Sequence, residues 1–348
     1  MRRSAVWLLV LLLVFALVMA AGLGTVKIPP GEVVRILLGR PFGLAPDWLP
    51  QHEAILLQIR LPRVLMAAVA GSALAMAGVA YQGLFRNPLA DPYVIGVSAG
   101  SALGGSAAIA LLGLPAMAAL VARGGALIAV GPVPLFAFVG GLVTVAIVYR
   151  LARIGTGVSL VGLLLGGGAI GSLAVSFVSL LLFFTASDVR EAILFWMMGG
   201  LGGASWAKLL WLLPYVAVGL GILLYWARDL NVILMGEETA HHLGVEVERM
   251  KRWVLLAGAL LTASAVAFCG SIGFVGLVVP HACRFLVGPD HRRLLPVAAV
   301  CGAVLLVLAD LGARLLLSPQ ELPVGLVMAL LGGPFFIWLL RTRLRPTV

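Results

Sequence analysis

Charged residues are scarce in this 348-residue chain: only 11% are Asp, Glu, Lys or Arg, against about 25% in soluble globular domains. Lysine is the rarest of them, occurring at Lys27, Lys208 and Lys251, and none of the three follows a glycine. A phosphate-binding loop needs Gly-Lys followed by Ser or Thr, so the chain cannot hydrolyse ATP by that loop. The three cysteines, Cys269, Cys283 and Cys301, form no Cys-x-x-Cys pair and read as buried, inert thiols. The histidines (His52, His241, His242, His281 and His291) include no His-Glu-x-x-His, and no carboxylate pair falls in an apolar run. A structural metal or hydrolase site therefore has little support, and no metal ligands are expected.

What fills the chain instead is hydrocarbon. Hydrophobic residues make up 62% of it and the mean hydropathy is +1.12. Ten apolar runs recur at 5–25, 64–84, 93–112, 127–149, 158–184, 207–227, 253–270, 273–287, 295–317 and 323–340. A helix needs about 20 residues to cross about 30 Å of hydrocarbon. The expected fold is all-α, a polytopic bundle of about ten spans forming one domain over residues 1–348. The eighth run is short and holds Pro280, so nine spans with a re-entrant segment is the alternative. Met1-Arg2-Arg3 before the first run resembles a signal peptide, but the run is long for one and reads as an uncleaved helix.

The net charge of +10 suggests nucleic acid until the basic residues are sorted by membrane side. With the N-terminus placed in the cytoplasm, fifteen Lys and Arg fall on the cytoplasmic side and nine on the other, which follows the positive-inside tendency. Arg60, Arg63 and Arg314 are among the nine. No nucleic-acid partner is needed to explain the charge, and an even number of spans puts both termini in the cytoplasm.

Two enzyme motifs occur by spelling alone. Gly96-Val97-Ser98-Ala99-Gly100 matches a nucleophile elbow, but it opens an apolar helix rather than following a strand. Gly96, Gly100 and Gly104 read better as a small-residue face that lets another helix approach. Gly166 to Gly171 spells Gly-x-Gly-x-x-Gly in mid-span, with no strand before it to make a dinucleotide site. Asp310 is the clear intramembrane acid. It lies four residues before Arg314, and a helical ion pair is favoured over a proton relay, because proton-coupled carriers carry more such groups.

The segment 229–252 is a polar interruption on the predicted cytoplasmic side. Gly236-Glu237-Glu238-Thr239-Ala240-His241-His242-Leu243-Gly244 places acids at the start of a helix and a glycine at its end. Val245 to Glu248 then restart a short second helix leading to Lys251. Two short helices about a glycine turn could sit in a groove on a soluble partner; on geometry alone, a solvated loop serves equally well.

Glu238-Thr239-Ala240-x-x-x-Gly244 resembles the Glu-Ala-Ala-x-x-x-Gly coupling motif of ABC importer permeases, with threonine in place of the middle alanine. Arg60-Leu61-Pro62-Arg63, Gln82 to Pro92 followed by Gly96, Gly273 to Leu277 with Pro280-His281, Ala309-Asp310 to Arg314, and Glu321 to Gly325 together resemble the FecCD-type permeases. Those import iron-siderophores, haem and cobalamin, and the matching motifs run in order over nearly the whole chain. The resemblance implies a homodimer of ten-helix subunits in a bacterial or archaeal cytoplasmic membrane, working by alternating access without a cofactor of its own. It implies two ATPase subunits, which carry the ATP and Mg, and an extracytoplasmic binding protein.

By the same resemblance, Gly236, Glu237, Glu238, Thr239, Ala240, Leu243 and Gly244 contact the ATPase, and Arg60, Arg63 and Arg314 dock the binding protein. Asn87, Leu89 and Thr156 contribute to a cytoplasmic gate. The fifth and tenth spans line the path, with Gly162, Gly166, Ser172 and Ser176 on the fifth. The stretch Met198 to Gly203 before Trp206 is closer to corrinoid and haem members than to siderophore members. A haem cargo would be favoured by an accessible ligating histidine, but His52 alone falls outward and most lone histidines are not ligands, so cobalamin and ferric siderophores stay open. A secondary transporter or channel, needing no ATPase, is the competing class.

Overall fold

The computed structural model describes residues 3–39, 47–114, 130–155 and 157–343. Among them are fourteen helices. The first seven are α1 (Arg3–Gly22), α2 (Pro30–Gly39), α3 (Pro50–Leu84), α4 (Val97–Leu112), α5 (Pro132–Leu151), α6 (Leu160–Phe184) and α7 (Ser187–Met197). The rest are α8 (Trp206–Tyr225), α9 (Ala227–Ile233), α10 (Glu237–His242), α11 (Val247–Cys269), α12 (Val275–Val287), α13 (His291–Leu315) and α14 (Val324–Arg343). A hairpin of two-residue strands, β1 (Arg153–Ile154) and β2 (Gly157–Val158), joins α5 to α6. Helices dominate because each closes its backbone hydrogen bonds within itself, the condition for entering lipid.

The ten apolar runs become α1, α3, α4, α5, α6, α8, α11, α12, α13 and α14. Three elements are decided by more than hydropathy: α3 and α11 start earlier than their apolar runs, while α12 keeps nearly the bounds of the short eighth run. Helix α3 begins at Pro50, fourteen residues before the second apolar run, because its first turns pack on α2 and carry polar groups that hydropathy discounts; Glu32 on α2 lies 2.8 Å from His52 Nδ1. Helix α12 has 13 residues, about 20 Å of rise, too short to cross the hydrocarbon alone. Backbone bonds tie neighbouring loops together: Gly200 N–H donates to the Cys269 carbonyl (2.8 Å) and Gly325 N–H to that of Gly199 (3.3 Å). Third, the expected short second helix after Gly244 does not exist as a separate element. Val247 starts the 23-residue α11, because Val247, Met250 and Val254 already turn into the core there.

The centre of the bundle is α3, packed on α11, α12 and α13. In the most apolar part of α3, 78% of residues are buried, against 17% for α6 and 28% for α14. The central helices approach closely through glycine. A Cβ on Gly71 would overlap the Gly302 carbonyl of α13, and one on Gly78 would overlap Gly276 of α12. Helices α4 and α5 meet in the same way, with Gly100 against Thr144 and the Gly140 carbonyl and Gly104 against the Phe136 carbonyl. Gly96 also faces Thr144 and the Gly167 carbonyl, but it is not itself in the helix. It is the residue before α4, with φ +80°, and its backbone turns the chain out of the preceding loop.

Gly71→Leu should therefore destabilise the protein by about 3 kcal/mol through overpacking at α13. Gly168→Ala, where an added Cβ meets nothing, should be neutral; thermal unfolding of the two variants in detergent measures the difference.

Candidate functional site

The charged and polar side chains gather at the two ends of the bundle. One end holds the C-terminus of α1, the N-terminal half of α3 and the C-terminus of α13. Arg60, Arg63 and Arg314 meet there, and all three are buried, at 6%, 8% and 5% exposure. Arg60 donates to the carbonyls of Ala21 (3.0 Å), Gly22 (2.7 Å) and Val26, closing off the last turn of α1. A helix C-terminus leaves such carbonyls without partners and favours a cation. Arg314 does the same from α13, donating to Ala20 (2.9 Å) and Leu23 (3.1 Å).

Arg63 is the hub of the ion cluster. Its Nε and Nη2 donate to Asp310 Oδ1 at 3.0 and 2.9 Å, and Nη1 donates to Glu321 Oε2 at 2.7 Å. Asp310 is 1% exposed and also lies 3.1 Å from Arg314 Nε, although that N–H is not aligned to donate to it. The i, i+4 pair expected from sequence is thus present, while the stronger, forked partner is Arg63, 247 positions away. A cavity of about 510 Å³ lies beside the cluster, lined in part by Arg63, Trp196, Lys208, Phe268 and Glu321. His52 faces Glu32 rather than open space.

The opposite end carries the segment 229–252. Gly236 (φ +114°) precedes α10 and Gly244 (φ +82°) follows it, both in backbone conformations suited to glycine. Val245 N–H donates to Ala240 O and Gly244 N–H to His241 O, each at 3.0 Å, the closing pattern of a helix ended by a left-handed residue. Ala240 is fully buried beneath α10. Glu238, Thr239, His241, His242, Leu243 and Gly244 are exposed, as are Leu234 and Met235 just before the helix. Exposed apolar side chains grouped in this way make the segment a candidate docking surface.

The protrusion is fastened at its base. Asn231 on α9 donates to Asp290 Oδ1 (2.7 Å) and accepts from His291 N–H (2.8 Å), fixing α9 to the start of α13. The Asn231 amide and the Arg292 N–H hold the Asp290 carboxyl below the usual carboxylate range. Lys251 is 2% exposed, with Nζ 2.5 Å from Glu237 Oε2 and 2.9 Å from Glu248 Oε1. The other oxygen of Glu248 accepts from Val158 N–H at 2.9 Å. Sequence reasoning missed this network, although the i, i+3 spacing of Glu248 and Lys251 hinted at half of it.

Of the residues expected at a gate, Asn87 and Leu89 belong to one turn, in which Asn87 Oδ1 accepts from Leu89 N–H at 2.9 Å. Thr156 lies outside the described residues. On α6, the hydroxyls of Ser172 and Ser176 bond to carbonyls of their own helix at 2.9 Å, leaving a surface of weak polarity between Val161, Leu165, Leu173 and Phe177, all exposed.

Asp310→Asn should cost about 3–5 kcal/mol, because it leaves buried arginines uncompensated. Arg249→Ala, which breaks only the exposed pair with Glu246, should stay within about 0.5 kcal/mol; folded yield and thermal unfolding in detergent check both.

Comparison with known proteins agrees with this geometry over the whole bundle. Residues 11–342 match the FecCD transport family. The hemin transport system permease protein HmuU of Yersinia pestis is 46% identical over 82% of this chain and 83% of its own length. The cobalamin import system permease protein BtuC of Halobacterium salinarum is 44% identical, over 84% of this chain and 74% of its own. The Fe(3+) dicitrate transport system permease protein FecD of Escherichia coli is 40% identical over 85% and 89%. A solved structure described as an inward-facing metal-chelate type ABC transporter superposes with a TM-score of 0.82 at 33% identity, covering 97% of this chain and 99% of that one.

Proposed function

The chain belongs to the FecCD transport family, and from that membership we propose that it is the membrane-spanning permease of an ATP-driven importer for a bulky metal chelate. Cobalamin, hemin and ferric dicitrate, named for the relatives, share that chemistry: a metal held in a large organic ligand. The observation that carries the reading is the protrusion around α10, apolar and acidic at its tip and bonded at its base to α11 and α13. A rigid lever of this kind suits work delivered by a separate ATPase, since a rigid element passes a displacement to the helices it is fastened to.

In this account two copies form the translocation unit, with the path between them. ATP and Mg bind the ATPase subunits, which receive Leu243, Glu238 and their neighbours. The protrusion faces the cytoplasm, as do both termini, and the arginine end faces outward in a bacterial or archaeal cytoplasmic membrane. A substrate-binding protein docks on the outer end. Arg60, Arg63 and Arg314, being buried and internally paired, serve docking by ordering that surface. Glu321, held by Arg63 and 45% exposed, is the charged group of the cluster that reaches solvent. Asn87, Leu89 and Thr156 belong to the cytoplasmic gate. The weakly polar surface of α6 suits a path that passes a large cargo without holding it.

The competing mechanism, secondary transport, needs a carboxylate free to take up and release a proton. Asp310 is locked between two arginines, which opposes that role.

Proteoliposomes containing this chain, its ATPase and the cognate binding protein should accumulate cobalamin, hemin or a ferric chelate only with hydrolysable ATP. Uptake that persists when hydrolysis is blocked would overturn the reading. Leu243→Arg should weaken ATPase co-purification by about 2 kcal/mol, the scale of an interface hot spot, without changing the folded yield.

A further inference from the structure

The base of the protrusion holds a connection that anchoring alone does not require. Lys251 sits in the second turn of α11 with its ammonium almost wholly buried, a position that demands charge compensation. Glu248, one turn earlier on the same helix, would supply it. The structure adds two further contacts from distant elements. Glu237, the first residue of α10, reaches the same ammonium. The Glu248 carboxylate, bridging with its second oxygen, accepts the N–H of Val158, 90 positions away in β2. Charge-assisted bonds thus run without a break from α10 through Lys251 and Glu248 to the α5–α6 hairpin.

The hairpin is in turn stiffly joined to α6. Ser159 N–H donates to the Ala152 carbonyl at the end of α5 (3.0 Å), and Ser159 Oγ accepts from Gly162 N–H (3.0 Å), capping α6. A displacement of Val158 is therefore delivered to the first turn of α6. That helix is the least buried of the long apolar spans, so much of its surface is free of contacts within the subunit that would resist a shift.

Resting on the importer reading, we propose that Lys251 and Glu248 are positioning residues that couple movement of α10 to the α5–α6 hairpin and so to α6. ATP-driven displacement of the protrusion then moves α6 with it rather than being absorbed at a flexible joint. The residues touch neither cargo nor nucleotide; they act by making three elements move as one body.

The test uses the full complex with its ATPase and binding protein in proteoliposomes. Glu248→Ala removes a side chain that is 39% exposed and cuts both the Lys251 and the Val158 contacts. Lys251→Met is the second variant, replacing the buried charge by a side chain of similar length. Both should assemble and hydrolyse ATP at close to the parental rate, while cargo moved per ATP falls about tenfold, within the range of energetic coupling between sites. Glu248→Gln, which keeps an acceptor for Val158 N–H, should lose less.

Spin labels at Ile154→Cys and Arg249→Cys, both exposed, supply a readout that a purely stabilising role would not move. In the parental background their separation should stay constant between nucleotide-free and nucleotide-trapped states, and in Glu248→Ala it should differ between them. Unchanged cargo per ATP in both variants would overturn the coupling role even if the importer reading holds. If the parental complex binds no ATPase or shows no ATP-dependent uptake, the importer reading itself fails and the coupling role falls with it.

Discussion

In hydrocarbon no water is available to pair with a stranded charge or backbone group, so each must find its partner inside the chain. That requirement organises the molecule. Helices α3, α12 and α13 close on one another through glycines at Gly71, Gly78, Gly276 and Gly302, where dispersion contact and backbone proximity replace the hydrophobic drive that water would supply. Among the described residues the buried ion networks lie at the two ends, where they fasten elements together. Arg60 and Arg314 close the last turn of α1, Arg63 ties α3 to α13 through Asp310, and Lys251 ties α10 to α11.

The uneven distribution of packing has a mechanical meaning. The central helices form a body with little freedom to shift, whereas α6 and α14 bury little of their surface within one subunit. A transporter that alternates between two openings needs both properties: a body that keeps its shape, and elements at its margin that exchange one set of contacts for another. The protrusion around α10 is fixed to the first kind of element through Asn231 and Asp290 and linked to the second through Glu248 and Val158. In the proposed cycle, work enters at the exposed tip and leaves through α6.

Sequence patterns made the architecture legible where they were local. Hydropathy located ten apolar helices, the shortness of the eighth was visible in its length and in Pro280, and Gly244 marked the end of α10. Long-range pairing was not legible. Nothing in the spelling of Arg63 points to Asp310, and nothing in the polar stretch that leads to Lys251 shows that the fold buries it. The start of α11 was missed because Glu246, Glu248 and Arg249 hide an apolar face that only packing exposes. Gly96 was assigned to a helix face by its spacing from Gly100, yet its positive φ places it before the helix. The amphipathic α2 and α7 escaped because each is too short and polar for a test built on apolar length.

In the proposed cycle the two charged ends lie on opposite sides of a membrane, with the α10 protrusion in the cytoplasm. Single cysteines at Leu243 and Glu321, with Cys269, Cys283 and Cys301 replaced by alanine, test it directly in oriented cells and inverted vesicles using a membrane-impermeant maleimide. Labelling of Leu243→Cys in inverted vesicles and of Glu321→Cys in intact cells is the predicted result. Labelling of both from the same side, or of each from the opposite one, would contradict the account.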